Sequence, residues 1–226
     1  MRRLSDAGRS LRVNRIWLWS RYEAAGLVTI LVAAAGLAAC AGQSLSSHGD
    51  WYEARSALPP AGDRVYVCHG FGCLYTTPVS FSEAELAMIT APLQADFAAP
   101  AQERAALAQS VQAYEEIVGR RIGTSSDRGG FEIVGGEKGQ MDCIDEATNT
   151  TSLLLMLEAR GALKHHKVMH PVARGFFLDG RYPHATAVLG EKAGGEKWAI
   201  DSWPDDNGKP PVVQRLDKWL ASRRTT

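Results

Sequence analysis

The chain has 226 residues, 25 Lys+Arg against 25 Asp+Glu, and four cysteines, and it is 45% hydrophobic. No repeat or low-complexity tract interrupts it, so a solenoid or a disordered polymer is excluded. The charge is unevenly spread, and that unevenness separates an N-terminal leader from the rest.

Residues 1–23 carry Arg2, Arg3, Arg9, Arg12, Arg15 and Arg21 against only Asp6 and Glu23. The apolar stretch 24–39, AAGLVTILVAAAGLAA, follows and ends at Cys40. Its 16 residues, many of them Ala or Gly, fall short of the ~20 that a membrane-spanning helix needs. A basic segment, a short apolar run and small residues before a break form the pattern of a secretory signal. Leu37-Ala38-Ala39-Cys40 resembles the bacterial lipobox, which implies cleavage before Cys40 and a lipid on its sulfur. The competing reading is a short, uncleaved membrane anchor. Removing residues 1–39 leaves 19 basic against 23 acidic side chains, a formal charge of −4. That balance argues against a nucleic-acid partner, because phosphate binding needs clustered cationic surface. Residues 40–63 are small, polar and Pro-containing, and are expected to form a flexible tether to one domain over 64–226.

Residues 64–81, RVYVCHGFGCLYTTPVSF, begin with strand-like alternation and pass into a Gly-rich turn. Cys68 and Cys73 lie in that turn, and an exported protein meets an oxidising compartment, so a local disulfide is expected. Cys68, His69 and Cys73 do not have a recognised zinc spacing and lack a second ligand pair, so no metal site is expected. Cys143 is then left over, and an odd thiol in an exported protein calls for a reason. Pairing of Cys143 with Cys68 or Cys73 is the alternative.

Ser82 followed by Glu83 and Glu85 marks a helix start, with a break around Pro92. Residues 100–119 predict a helix with Pro100 in its first turn and Gly119 at its end. Ala106, Val111, Tyr114 and Val118 supply part of its apolar stripe. Residues 122–139 are Gly- and Ser-rich and predict loop. The next helix opens at Asp142-Cys143-Ile144-Asp145. Asp142 is its N-cap, Asp145 completes a capping box of two carboxylates, and Cys143 is the first helical residue. The run SLLLMLEARG shows no polar face for most of its length, which marks a buried helix stopped by Gly161. The helix dipole favours a thiolate at Cys143 while the flanking aspartates oppose it, so a nearby base has to decide. His165, His166 and His170 follow in LKHHKVMHP, expected as a solvated connector.

Two strand-like runs, HATAVL and KWAIDSW, flank a Gly-rich loop within residues 182–208. Setting Gly190 opposite Gly195 leaves Glu191–Gly194 as a four-residue hairpin loop and pairs His184 with Asp201. Directly opposed residues share a face, with Cβ atoms roughly 5 Å apart. Ala185, Ala187, Leu189, Trp198 and Ile200 then form the other, apolar face. An imidazole beside a carboxylate is what a thiol nucleophile needs: the ring takes the proton, and the carboxylate sets its tautomer. Trp203, Asp205, Asp206 and Asn207 fall in a turn, a candidate rim of a cleft. The terminal VVQRLDKWLASRR predicts a short amphipathic helix burying Val213, Leu216, Trp219 and Leu220. No phosphate-binding Gly-rich loop is present, and no cofactor is expected.

Residues 130–208 resemble the transglutaminase-like branch of the papain superfamily. Asp142-Cys143, Asp145 and Ala147 are similar to the D-C-x-D-x-A pattern of bacterial transglutaminase-like cysteine peptidases. His184-Ala185 and Trp198-Ala199-Ile200-Asp201 match that family's later motifs. The resemblance implies an α+β, papain-like fold in which a buried helix carrying the cysteine at its N-terminus packs on an antiparallel sheet. It also implies Cys143 as nucleophile, His184 as general base and acid, and Asp201 as orienter. The oxyanion would be held by the Cys143 N–H and a second donor, for which Gln140 is the candidate. Eukaryotic transglutaminases place Gln beside the cysteine and Trp after it, whereas here Gln140 stands three residues earlier and Ile144 follows. That weakens the reading as a protein cross-linker; an acyltransferase shares the thioester and differs from a hydrolase only in whether an amine or water resolves it. The expected function is a cysteine peptidase or amidase, lipid-anchored at the periplasmic face of the bacterial outer membrane and acting on a protein or peptide. The alternative is an envelope lipoprotein that keeps this fold as a binding module.

Overall fold

The computed structural model describes residues 48–130, 136–175 and 183–222. The signal segment, the lipidation site at Cys40 and the first part of the expected tether lie outside the described residues. Helix α1 (Gly49–Glu53) precedes an antiparallel hairpin of β1 (Arg64–His69) and β2 (Tyr75–Ser80). Helix α2 (Glu83–Thr90), a 3-10 turn (Ala91–Gln94), α3 (Pro100–Ile122) and α4 (Cys143–Ala159) follow. A four-stranded antiparallel sheet comes next, in the order β3 (His166–Arg174), β4 (His184–Glu191), β5 (Lys197–Asp201), β6 (Val212–Arg215). Helix α5 (Leu216–Ala221) ends the described chain. The fold is thus α+β, and no described helix is long and apolar enough to cross a membrane.

Helix α4 is the pivot, packing against β1, β3 and β4. Its Leu153, Leu154 and Leu157 join Val65, Val67, Leu107, Val111, Leu189 and Ile200 in the main core, each fully buried aliphatic side chain contributing about 1.5–3 kcal/mol. The middle of the helix, Thr148 to Ser152, is polar yet buried. Its side chains are satisfied individually, as burial demands. Trp51 Nε1 donates to Thr148 Oγ1 at 3.0 Å, and Tyr52 Oη meets Ser152 Oγ at 2.8 Å. Asn149 clasps the main chain of Cys68 through both its amide atoms. Thr150 Oγ1 lies 3.0 Å from Ser202 Oγ, and Thr151 donates to Ala147 O.

Ser82 caps α2 with Glu85 completing the box, and Asp142 caps α4 with Asp145 in the same way. Gly161, at φ 71°, follows the end of α4. Gly119, however, does not end α3. The helix runs on to Ile122 and stops at Gly123, φ 87°. Gly119 is there for a close approach, since a Cβ would lie 2.8 Å from Ser125 Oγ and 2.9 Å from Asn207 Nδ2. Within the stretch expected as tether, Gly49–Glu53 is helical. Trp51 and Tyr52 on α1 are buried against α4, because their rings bring apolar area and their polar ends find hydroxyl partners on it. The terminal segment is likewise split, with 212–215 extending the sheet as β6 before α5 begins. Trp219 is fully buried, while Leu220 is 40% exposed rather than inward.

The expected solvated connector at His165–His170 is instead the start of β3, and His166 is fully buried. Its partner is Glu103 of α3, also at 0% exposure. Glu103 accepts from the N–H groups of Lys164, His165 and His166, and contacts His166 Nδ1 at 2.8 Å. Burial opposes its charge, but these donors hold its carboxyl below the ordinary Glu range. Arg104 extends the network to His166 Nε2 and to Glu191, and its guanidinium lies over Trp198. Removing this one acceptor strands several buried donors, each at about 1–3 kcal/mol. Glu103→Ala is therefore expected to destabilise the fold by about 3–5 kcal/mol, read as a lower urea midpoint with an unchanged m-value.

Candidate functional site

Cys143 is the first residue of α4 and is 7% exposed. The two acids beside it are occupied by the loop between β1 and β2. Gly70, Phe71, Gly72 and Cys73 all have positive φ, a run that turns successive N–H groups toward the helix start. Phe71 and Cys73 donate to Asp145 at 2.8 and 2.6 Å, and Gly72 donates to Asp142 Oδ2 at 3.0 Å. Asp142 Oδ1 meanwhile accepts from Ile144 and Asp145 N–H, and the Asp142 N–H reaches back to Asp145. A Cys68–Cys73 disulfide closes the loop, which leaves Cys143 as the free cysteine among the described residues. Cys68, Cys73 and Asp145 place potential ligand atoms within 4.8 Å of one another. The sulfurs, however, are bonded to each other and the carboxylate is engaged by the loop N–H groups.

His184 and Asp201 meet, although not through the expected pairing. The hairpin register is shifted by two residues, with Ala187 opposite Ile200 and Val188 opposite Ala199. The loop is again four residues long but starts one later, since Glu191 N–H donates to Glu196 O. A shift of two keeps every side chain on its face, whereas a shift of one would have reversed them all. His184 and Asp201 therefore become diagonal neighbours, and Nε2 lies 2.7 Å from Asp201 Oδ2. Their face is not open. Val188 and Ala199 pack there with Leu216 and Trp219, so α5 covers it.

Trp219 Nε1 also donates to Asp201 Oδ2, at 2.7 Å. An indole N–H can only donate, which marks this oxygen as an acceptor and makes His184 Nε2 the protonated nitrogen. Nδ1 then carries the lone pair, and it has no hydrogen-bond partner among the described residues. The ring lies between Trp203, with centroids 4.8 Å apart, and Trp219, at 5.3 Å. Trp203 also packs with Cys143, Ala147, Ala185 and Trp51, so it spans the ground between thiol and imidazole.

The sulfur lies against the main chain on either side of His184. Sγ is 3.8 Å from Pro183 O, and the Ala185 N–H points at it. Burial, then the charges of Asp142 and Asp201, push the thiol up to about 12. Burial and these carboxylates thus act against the helix dipole at Cys143. No Sγ–Nδ1 hydrogen bond forms, because strand alternation sends Ala185 toward α4 and His184 toward α5. Gln140 is buried at the loop base, where its Nε2 donates to Ser126 O and its Oε1 accepts from Arg128 N–H. Its carboxamide thus ties the 124–130 loop to the helix start. The tryptophans were not assigned to the triad from sequence, and isolated aromatics carry no local signal of that kind.

Further acids surround the site. Burial pushes Glu115 up to about 8, Asp127 to about 7 and Asp145 to about 7. Glu146, next along α4, is raised well above the usual carboxyl range by burial and by Glu115, Asp127, Asp145 and Asp201. Comparison with models of known families, with curated proteins and with solved structures finds no match.

These acids bind protons in the folded state at pH values where the unfolded chain has lost them. Their contribution is complete below about pH 4 and is lost as pH rises through 7 to 8. Each such group lowers stability by about 1.4 kcal/mol per pH unit between its two pKa values. Denaturation midpoints are expected to fall from pH 6 to pH 9, and Glu115→Gln is expected to flatten that slope.

Proposed function

We propose that this chain is a cysteine hydrolase of amide bonds, in which Cys143 attacks, His184 moves the proton and Asp201 orients the ring. The observation that carries this reading is His184 itself. Its Nε2 is fixed on a carboxylate that also accepts an indole N–H, and its basic Nδ1 is left without a partner among the described residues, at the start of the strand the thiol touches. Sγ would add to the amide carbonyl while its proton passes to Nδ1, which does not touch the sulfur in the resting structure and would have to be brought to it on substrate binding. The same proton would then go to the leaving amine, forming a thioester. Water, deprotonated by Nδ1, would release the acid and regenerate the thiol. The Cys143 N–H and a second donor would hold the oxyanion. The resemblance to transglutaminase-like peptidases supports the order of the three residues, and a lipid on Cys40 would place the enzyme at the periplasmic face of the outer membrane. In the alternative, a binding module, the same buried imidazole and thiol would be structural.

Alkylation of Cys143 by iodoacetamide, quantified by peptide mass spectrometry on the full chain, separates the two. A working base gives measurable reaction at pH 7.5, which His184→Ala slows about a hundredfold and Asp201→Asn slows less. A Cys143 that reacts equally in all three proteins, or in none below pH 9, rules out the hydrolase.

A further inference from the structure

Arg55 lies beyond the last turn of α1, a segment whose composition suggests only a tether. Its guanidinium carbon lies 3.3 Å from the centroid of the Trp51 ring, and Nη1 donates to Trp51 O at 2.8 Å. Trp51 is anchored in turn by Thr148 and packs in the same apolar cluster as Cys143, Ala185 and Trp203. The cation therefore rests over an aromatic wall of the thiol site and is tied to its main chain. Among the described residues no carboxylate lies within ion-pair distance of it. The nearby Asp142 is engaged by three backbone N–H groups. Burial lowers the pKa of Arg55, while Asp142 and Cys143 act to raise it, so the guanidinium is within electrostatic range of the sulfur.

A half-buried, stacked arginine with no anionic partner has given up hydration without an ion pair to offset it. A guanidinium matches a carboxylate in geometry and charge, and a fixed fork loses little entropy on binding one. From the placement of Arg55 on Trp51 beside the thiol, we infer that it is a substrate-binding residue that recognises a carboxylate next to the amide bond Cys143 attacks. The substrate class is accordingly an acidic peptide. This rests on the hydrolase reading and adds the recognition element to it.

The test uses two reagents that differ in that one group. Iodoacetate presents a carboxylate on the carbon that the sulfur attacks, and iodoacetamide presents a neutral amide in its place. Rates for Cys143 in the full chain are taken at pH 7.5 as the iodoacetate to iodoacetamide ratio, normalised to free cysteine. The ratio is expected to exceed one in the wild type and to fall about tenfold in Arg55→Gln, the size expected for one charge-assisted contact. Arg55→Lys, which keeps the charge but loses the stacked fork, is expected to fall between the two. An unchanged ratio in Arg55→Gln overturns the inference while leaving the hydrolase intact. A wild-type Cys143 inert to both reagents overturns the hydrolase and this inference with it.

Discussion

The carboxylate of Asp145 ties together the start of α4, the loop between β1 and β2, and the Asp142 cap, by accepting N–H groups from Phe71, Cys73 and Asp142. Phe71 and Cys73 both lie at positive φ, which costs roughly 1–2 kcal/mol for each non-glycine residue. Each of the two is held there by its N–H bond to Asp145, a net contribution of about 0.5–1.5 kcal/mol apiece against that strain. The disulfide closes the same loop, and Asn149 holds Cys68 from the next turn of α4. Position and direction of the helix start follow from this arrangement, and so does the place of Cys143. Two acids flank a thiol because they are structural acceptors, and a raised thiol pKa accompanies that role.

Much of this was legible where the signal is local. Ser82 and Asp142 are N-caps whose reason lies within three residues of chain, and Cys68 and Cys73 are close enough in sequence to find each other whatever else the fold does. The hairpin was legible in parity but not in register. Alternation is a property of each strand, so the faces were readable. The pairing depends on which glycine takes the turn, and Gly195 at φ 69° lies inside the loop rather than opposite Gly190. The illegible parts all involve distant partners. Nothing near His166 in sequence announces a buried glutamate from α3, and Gly119 reads as a helix stop until Ser125 and Asn207 approach it. Trp51 looks like tether until a threonine nearly a hundred positions later accepts its N–H.

The same dependence on remote chain governs the candidate site. Local motifs supply a thiol, an imidazole and a carboxylate, but their electrical state is set by residues outside those motifs. Trp219, from the last helix, fixes the role of Asp201 Oδ2 and through it the tautomer of His184. Trp203 packs against both the ring and the thiol. Trp51 and Arg55 come from the opposite end of the described chain. A C-terminal helix that reads as peripheral amphipathic packing thus covers the face of the sheet on which His184 and Asp201 meet.

The Cys143 thiol is buried and pushed up to about 12, and the His184 ring is buried as well. Moving the proton between them without any other change would create two charges in a poorly solvated site, which burial opposes. On the proposed hydrolase reading, a substrate carbonyl would change that balance, because negative charge would then develop on its oxygen instead of accumulating on sulfur. The N–H groups at the start of α4 are suited to receive such charge, being at the positive end of the helix dipole. Asp201, joined to Nε2 through Oδ2, would stabilise the imidazolium once it forms. Chemistry at this site would therefore call for proton transfer concerted with attack on an electrophile, in contrast to a pre-formed thiolate.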